Sequence, residues 1–389
     1  MSFLLLIRIH TNLRKSCEPR NKRVGEFSDS AESSQPATKN QPGTERREKG
    51  AESTLPLSRV LDTRIDRPPK SIAPTDQPST GGEEFFTSAG CSRPLINEEI
   101  LFLKNSVPAD FSRLPRSLED IEYFKATELR QFLLYVGPIV LRNMRNKNMY
   151  THFMTLSCAI RILCSHTLYF TYNNYALQLI KYFIQKYSFL YGPEFINHNV
   201  HGLVHLPADC LLHGPLDMFT CFKYENFLYQ IKQKIQTTRC PLQQICNRLR
   251  EQEQTKEQNN EKFPILYQQT KIKIINGERY AFYKKIQTEK FTLSTADNEN
   301  CIMIRDESIL CIDSIFQNIS TLHIFITARK FLDPMPFFNS PCSFKLLNIY
   351  QTQSISEARY TVSISEVQAK CVKFLLKNNF VIMAMIHTN

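Results

Sequence analysis

The chain has 389 residues, 42% of them hydrophobic and 11% aromatic, which is enough for one or two ordinary cores. A formal charge of +11 and a sequence pI of about 9.0 suit a polyanionic partner such as nucleic acid, although scattered surface lysines would give the same balance. Twelve cysteines are spread from Cys17 to Cys371 without C-x-x-C spacing, which argues against a zinc ribbon or a redox motif and for buried thiols in a reducing, intracellular compartment.

The opening run Phe3-Leu4-Leu5-Leu6-Ile7 is short and lacks both a basic region before it and a small-residue cleavage site, so no secretory signal is expected. No run approaches the length of a membrane span, and no membrane partner is expected. Residues up to 92 are dominated by Ser, Pro, Thr, Gly and charged types, as in Ser30-Ala31-Glu32-Ser33-Ser34-Gln35-Pro36, and read as a disordered tail. Order is expected from Pro94-Leu95-Ile96-Asn97 onward. Ser117-Leu118-Glu119-Asp120 has the form of a capping box, predicting a helix through Tyr135 that Gly137-Pro138 breaks or kinks. A second helix is predicted over 148–164. A third follows the i, i+3, i+4 stripe Tyr172, Tyr175, Ala176, Leu179, Ile180, Phe183, Tyr187, Leu190 and ends at Gly192-Pro193. Shorter helices are predicted over 194–206 and 219–235, and a last one from Pro241 into the polar stretch 250–262.

After Phe263 the period changes from 3.6 to 2. Runs 271–275 and 279–283 flank Asn276-Gly277, a strong hairpin signal, and runs 301–304 and 309–312 flank a second turn. Further strands are predicted over 322–327 and 380–386. The expected fold is α+β: a tail over 1–92, an all-α domain over 93–260, and a small all-β, barrel-like domain over 263–389.

Several blocks in this order look like one family. They are Leu114-Pro115-Arg116-Ser117-Leu118, Phe124-Lys125-Ala126-Thr127-Glu128-Leu129-Arg130-Gln131-Phe132 and Tyr191-Gly192-Pro193-Glu194-Phe195. His198-Asn199-Val200-His201-Gly202-Leu203-Val204-His205, His213-Gly214-Pro215-Leu216 and Phe222-Lys223-Tyr224-Glu225-Asn226-Phe227 follow, then Phe331-Leu332-Asp333-Pro334-Met335-Pro336 and Val367-Gln368-Ala369-Lys370-Cys371. Together they resemble the C-terminal half of an En/Spm (CACTA)-type DNA transposase, over roughly three-quarters of the chain. The resemblance implies a ribonuclease-H-like enzyme with a helical insertion, in which three acids hold two metal ions. In that pattern Glu225 matches the acid that follows the insertion. The two earlier acids have no counterpart, because Asp29, Asp62, Asp66 and Asp76 lie in Pro- and Ser-rich surroundings. The expected function is therefore that of a transposase-derived protein lacking a complete catalytic site and associated with DNA or chromatin in the nucleus. Magnesium would be required only by an intact core. The alternatives are a protein-interaction module that never touches DNA, or a fragment of an active transposase whose catalytic half lies upstream.

Three groups of residues are site candidates. Glu225 is the family-like acid, though an acid early in a helix is also favoured by the helix dipole. His201 and His205 stand one helical turn apart and could face one metal, with His198, Asp209, Cys210 or His213 completing it; equally, they could hydrogen-bond within a helical interface. Lys271, Lys273, Lys284 and Lys285, interleaved with Tyr280, Phe282 and Tyr283, suit phosphate contact with stacking, or a plain solvated face.

Overall fold

The computed structural model describes residues 93–144, 146–237, 239–256, 263–343, 345–376 and 378–386. The tail expected over 1–92, with its four aspartates, lies outside them.

Helix α1 (Arg93–Leu103) buries Ile96, Ile100 and Leu103, an i, i+4, i+7 stripe. The long helix expected from Ser117 is divided. Ser117 caps a 3-10 turn, Leu118–Tyr123, and α2 (Ala126–Gln131) starts afresh. The Glu128 carboxylate accepts the Lys125 backbone N–H at 2.8 Å and the Arg116 guanidinium at 2.6 and 3.1 Å. Burial alone would raise the Glu128 carboxyl, but the Arg116 fork and the Lys125 N–H outweigh it and hold it below the ordinary value. Its stabilising contribution is then complete above the unfolded-state pKa of about 4.3 and is lost as pH falls through the lower folded value. Glu128→Gln is expected to cost about 1–3 kcal/mol at neutral pH, with variant and wild type converging in acid. Urea unfolding of both proteins near neutrality and well below about pH 4 reads this out; a gap that did not shrink in acid would contradict it.

Gly137-Pro138 does not end the helix. A π-helical turn, Phe132–Val136, carries the chain into α3 (Gly137–Val140). The Gly137 N–H reaches back to Phe132 O, and a side chain at 137 would strike that oxygen at 2.7 Å and the Phe153 ring at 2.6 Å. Pro138 has no N–H to offer Leu134 O. That carbonyl is taken instead by Arg161 Nη1 at 3.1 Å, and Leu133 O by Ser157 Oγ at 2.9 Å. The helix interruption is thus compensated from the neighbouring helix, as a buried backbone acceptor requires.

Helices α4 (Lys147–Cys164), capped by Asn146, and α5 (Asn173–Tyr191), stopped by Gly192 at φ 101°, form the central pair and lie where the sequence pattern puts them. Short α6 (His198–Gly202) and α7 (Leu206–His213) close the bundle, and Arg130 is tied to Asp217 beyond α7 at 2.7 Å. Helices α8 (Phe222–Gln233) and α9 (Pro241–Lys256) bury little: Tyr224, Leu228 and Leu242 are 67%, 63% and 76% exposed.

The C-terminal part is an antiparallel sheet of β1 (Ile265–Ile275), β2 (Glu278–Gln287), β3 (Thr292–Ser294), β4 (Cys301–Ile304), β5 (Ile309–Asn318), β6 (Ile324–Leu332), β7 (Met335–Pro336), β8 (Ile349–Thr352), β9 (Ser354–Ser363), β10 (Val367–Leu376) and β11 (Asn379–Ala384). Asn276 and Gly277 take φ of 52° and 83°, the left-handed pair that a two-residue hairpin needs. The hydrogen-bonded order β1-β2-β5-β4-β10-β11-β8-β7 has two ends, with β3 on β2 and β6 linking β5 to β9; the hydrogen-bonded path is open.

Helices and sheet share one core. Leu133, Leu134, Ile162 and Leu163 belong to the same buried cluster as Ile349, Val372, Phe374, Val381 and Met383. Arg161, 1% exposed, sits at this junction. Besides Leu134 O, its guanidinium donates to Leu347 O at 3.3 Å and Ala384 O at 2.5 Å, and it lies over the Tyr135 ring at 5.2 Å. A second junction joins Lys370 on β10 to Asp110 at 2.5 Å, Asn298 to Val107 O at 3.1 Å, and Glu299 to the Ala109 N–H at 3.2 Å.

Candidate nucleic-acid interface

Among the described residues strand β1 pairs with β2 alone, so the hairpin stands at the sheet edge with both faces open in its outer part. Side chains alternate across a strand, and directly paired residues share a face. Lys271 lies opposite Phe282 and Lys273 opposite Tyr280. Both ammonium groups lie over the Phe282 ring, at 5.4 and 5.8 Å from its centroid. Among the described residues no carboxylate is within ion-pair distance of either. The nearby Glu278 instead accepts from Tyr280 Oη and Asn318 Nδ2, at 2.7 and 2.6 Å.

The four lysines expected to act together are divided. Lys284 and Lys285 are neighbours on β2 and project to opposite sides of it, and the Lys285 Nζ lies 5.9 Å from the Tyr267 ring centroid rather than over Phe282. The sequence could show the cluster but not the division, because a β-bulge between Gln269 and Lys271 resets the register of β1.

The lysine-bearing face continues across the sheet. Phe282, Phe316 and Phe325 occupy directly paired positions on β2, β5 and β6. Their rings are stacked with centroids 5.3 and 5.7 Å apart, and Tyr280 meets Phe316 edge-on at 5.6 Å. All three Phe rings are half-buried. Two rows further along β6 and β9 come Arg329 and Arg359. Each donates its Nε to Asp313, at 3.0 and 3.1 Å, and Asp313 sits in a second bulge that aims it between them. Phe316 and Phe325 lie 34 and 43 residues beyond Phe282, so no local window shows the whole row. Chemically, such a face offers cations to phosphates and apolar rings to planar groups.

The other sites are less complete. Glu225 stands exposed in the first turn of α8. Among the described residues no group of three or more His, Cys, Asp or Glu side chains could hold a metal. A two-metal site needs several carboxylates around it, so the residues present do not fit a magnesium pair, and no catalytic step is derived through one. His201 and His205 are both exposed, and their rings meet edge to face at 5.6 Å. Among the described residues no third ligand joins them, and Cys210 is buried and turned inward toward Leu163 O. Burial also pushes the Cys164 and Cys210 thiols up to about 12, so neither is a thiolate at neutral pH. Purified protein is therefore expected to carry well under one zinc per chain. Elemental analysis of wild type and of the His201→Ala, His205→Ala double variant checks this; one tightly held zinc in wild type alone would contradict it.

No helix among the described residues is long and apolar enough to cross a membrane. The sheet, with its basic and aromatic face, coincides with a recognised sequence unit. A family model described as a domain of unknown function (DUF8592) matches residues 259–385, from just before β1 to just past β11. The helices lie outside that match. No curated protein matches the chain.

Proposed function

We propose that the protein is a transposase-derived, nucleic-acid-associated protein without a complete catalytic site, and that β1, β2, β5 and β6 form its contact face. The observation that carries the reading is the pair of ammonium groups, Lys271 and Lys273, held over one ring without a carboxylate partner among the described residues. Two like charges within reach of the same ring repel each other, and an incoming phosphate relieves that repulsion. The transposase origin rests on the ordered sequence blocks. Their polar residues are used in this fold, Glu128 with Arg116 and Arg130 with Asp217, which is consistent with blocks that encode a helical scaffold. We also propose that the sheet curls toward a barrel. Strands β8 and β9 are separated by Gln353 alone, and inward residues of six strands, among them Cys301, Cys311, Phe331, Tyr350, Cys371 and Ile382, meet in one buried cluster.

The test is binding to a duplex at low and moderate salt, for wild type and for a variant with Lys271, Lys273, Lys284 and Lys285 changed to Gln. Salt-sensitive binding that the variant loses supports the reading, and no binding at low salt ends it. A second reading has its own observation. Tyr224, Phe227, Leu228 and Tyr229 on α8 are all at least 48% exposed, which suits a protein partner. That reading predicts salt-tolerant association lost on substitution in α8.

A further inference from the structure

We propose that the sheet face binds single-stranded nucleic acid in preference to duplex, with unstacked bases packing against the row Phe282, Phe316 and Phe325. The inference rests on the nucleic-acid reading above and names its substrate class.

Strand pairing sets the dimensions of the face. Adjacent strands are about 4.8 Å apart, so the path from β1 through β2, β5 and β6 to β9 spans about 19 Å. Lys271 and Lys273 stand at one end of it. Arg329 and Arg359 stand near the other, about 13 Å along the strands from Phe325. Between the two cationic groups lie the three rings, then Ser314, Thr327 and Thr361 with hydroxyls at half-exposed or exposed positions. Against the cations Lys271, Lys273, Arg329 and Arg359 stand Asp313 and Glu278, each already engaged, and the exposed Glu357, two residues from Arg359 on β9. The face is therefore complementary to an anion with a row of flat apolar groups. A lipid headgroup or an acidic peptide matches the charge but not the rings. A duplex matches the charge but hides its bases: the exposed β1–β2 hairpin could meet its backbone, while the row of rings would find no base faces to pack against. A single strand offers phosphates on one side and open base faces on the other. Its footprint would be about four nucleotides, the short end of what a small β domain covers.

The rings stack on one another, with Tyr280 edge-on to Phe316 and His323 edge-on to Phe325, and leucine at these positions keeps apolar volume while removing the π-face. The experiment measures fluorescence anisotropy of the full chain with a labelled 12-nucleotide single strand, the matching duplex and poly-glutamate. It uses wild type, F282L/F316L/F325L and K271Q/K273Q, with circular dichroism confirming that each variant is folded. The expected result is tighter binding of the single strand than of the duplex by about tenfold or more. The leucine variant should lose the preference for the single strand by a similar factor while its weaker duplex binding persists, and the lysine variant should lose both. Equal or better duplex binding, indifferent to the leucine changes, would overturn this inference and leave the broader reading standing. Equal binding of poly-glutamate would overturn it in favour of an acidic protein partner. No binding of any nucleic acid would overturn both. Should the triple variant fail to fold, F282L alone, at the open edge beside the two lysines, carries the same comparison.

Discussion

Arg161→Met is expected to lower the unfolding free energy by about 3–5 kcal/mol, near the upper end for a single substitution. The guanidinium is buried and has no carboxylate among its hydrogen-bond partners; it is held by three backbone carbonyls, Leu134 O, Leu347 O and Ala384 O, and by the Tyr135 ring. Burial draws its pKa down from the ordinary value. Methionine fills most of the volume but strands three buried acceptors, each costing on the order of 1–3 kcal/mol when left without a donor, less where water enters. Arg161→Lys should recover little, because one ammonium cannot span carbonyls from a helix, a loop and a strand end that meet a planar fork. Denaturant titration gives the result. A methionine variant as stable as wild type would mean that apolar packing suffices at this junction, as it does for some buried ion pairs.

Duplex binding is expected to fall steeply with salt. If three to five of the face's cations meet phosphate, the log–log slope should be about −3 to −4.5, so that affinity drops roughly a hundredfold between about 50 and 200 mM. The division of the lysines sharpens this. Lys271→Gln with Lys273→Gln removes two contacts and should flatten the slope by about 1.8. Lys285→Gln, whose ammonium lies beside Tyr267 rather than over Phe282, should change it by less. Neither change should unfold the protein, since exposed charges contribute little to stability. Equal effects of Lys273 and Lys285 would show that general charge, not this face, does the binding.

The sequence made the long periodic elements legible. The Tyr172–Leu190 stripe became α5 and Asn276-Gly277 became the hairpin, because 3.6- and 2-residue periods and turn chemistry are local signals. What it hid was non-local. Where the helix passes Gly137-Pro138, the freed carbonyl is taken by Arg161, 23 residues beyond Pro138. Strands β8, β9 and β10 carry mixed polar patterns that pairing partners rather than composition decide. The division into an all-α and a small β domain missed that both draw on one core, since a buried cluster cannot be assigned to its partner from one segment alone. At the site, the lysine cluster and its aromatic neighbours were visible. The phenylalanine row and the Asp313 bridge were not, because they come from four strands and two register shifts.

The nucleic-acid reading is tested most directly by anisotropy with a labelled duplex at about 50 and about 200 mM salt, for wild type and for the protein with Lys271, Lys273, Lys284 and Lys285 changed to Gln. The account predicts measurable wild-type binding at the lower salt, a fall of roughly a hundredfold at the higher, and in the folded variant weaker binding that falls by no more than about tenfold. Absent binding at low salt, or a variant indistinguishable from wild type, would contradict it.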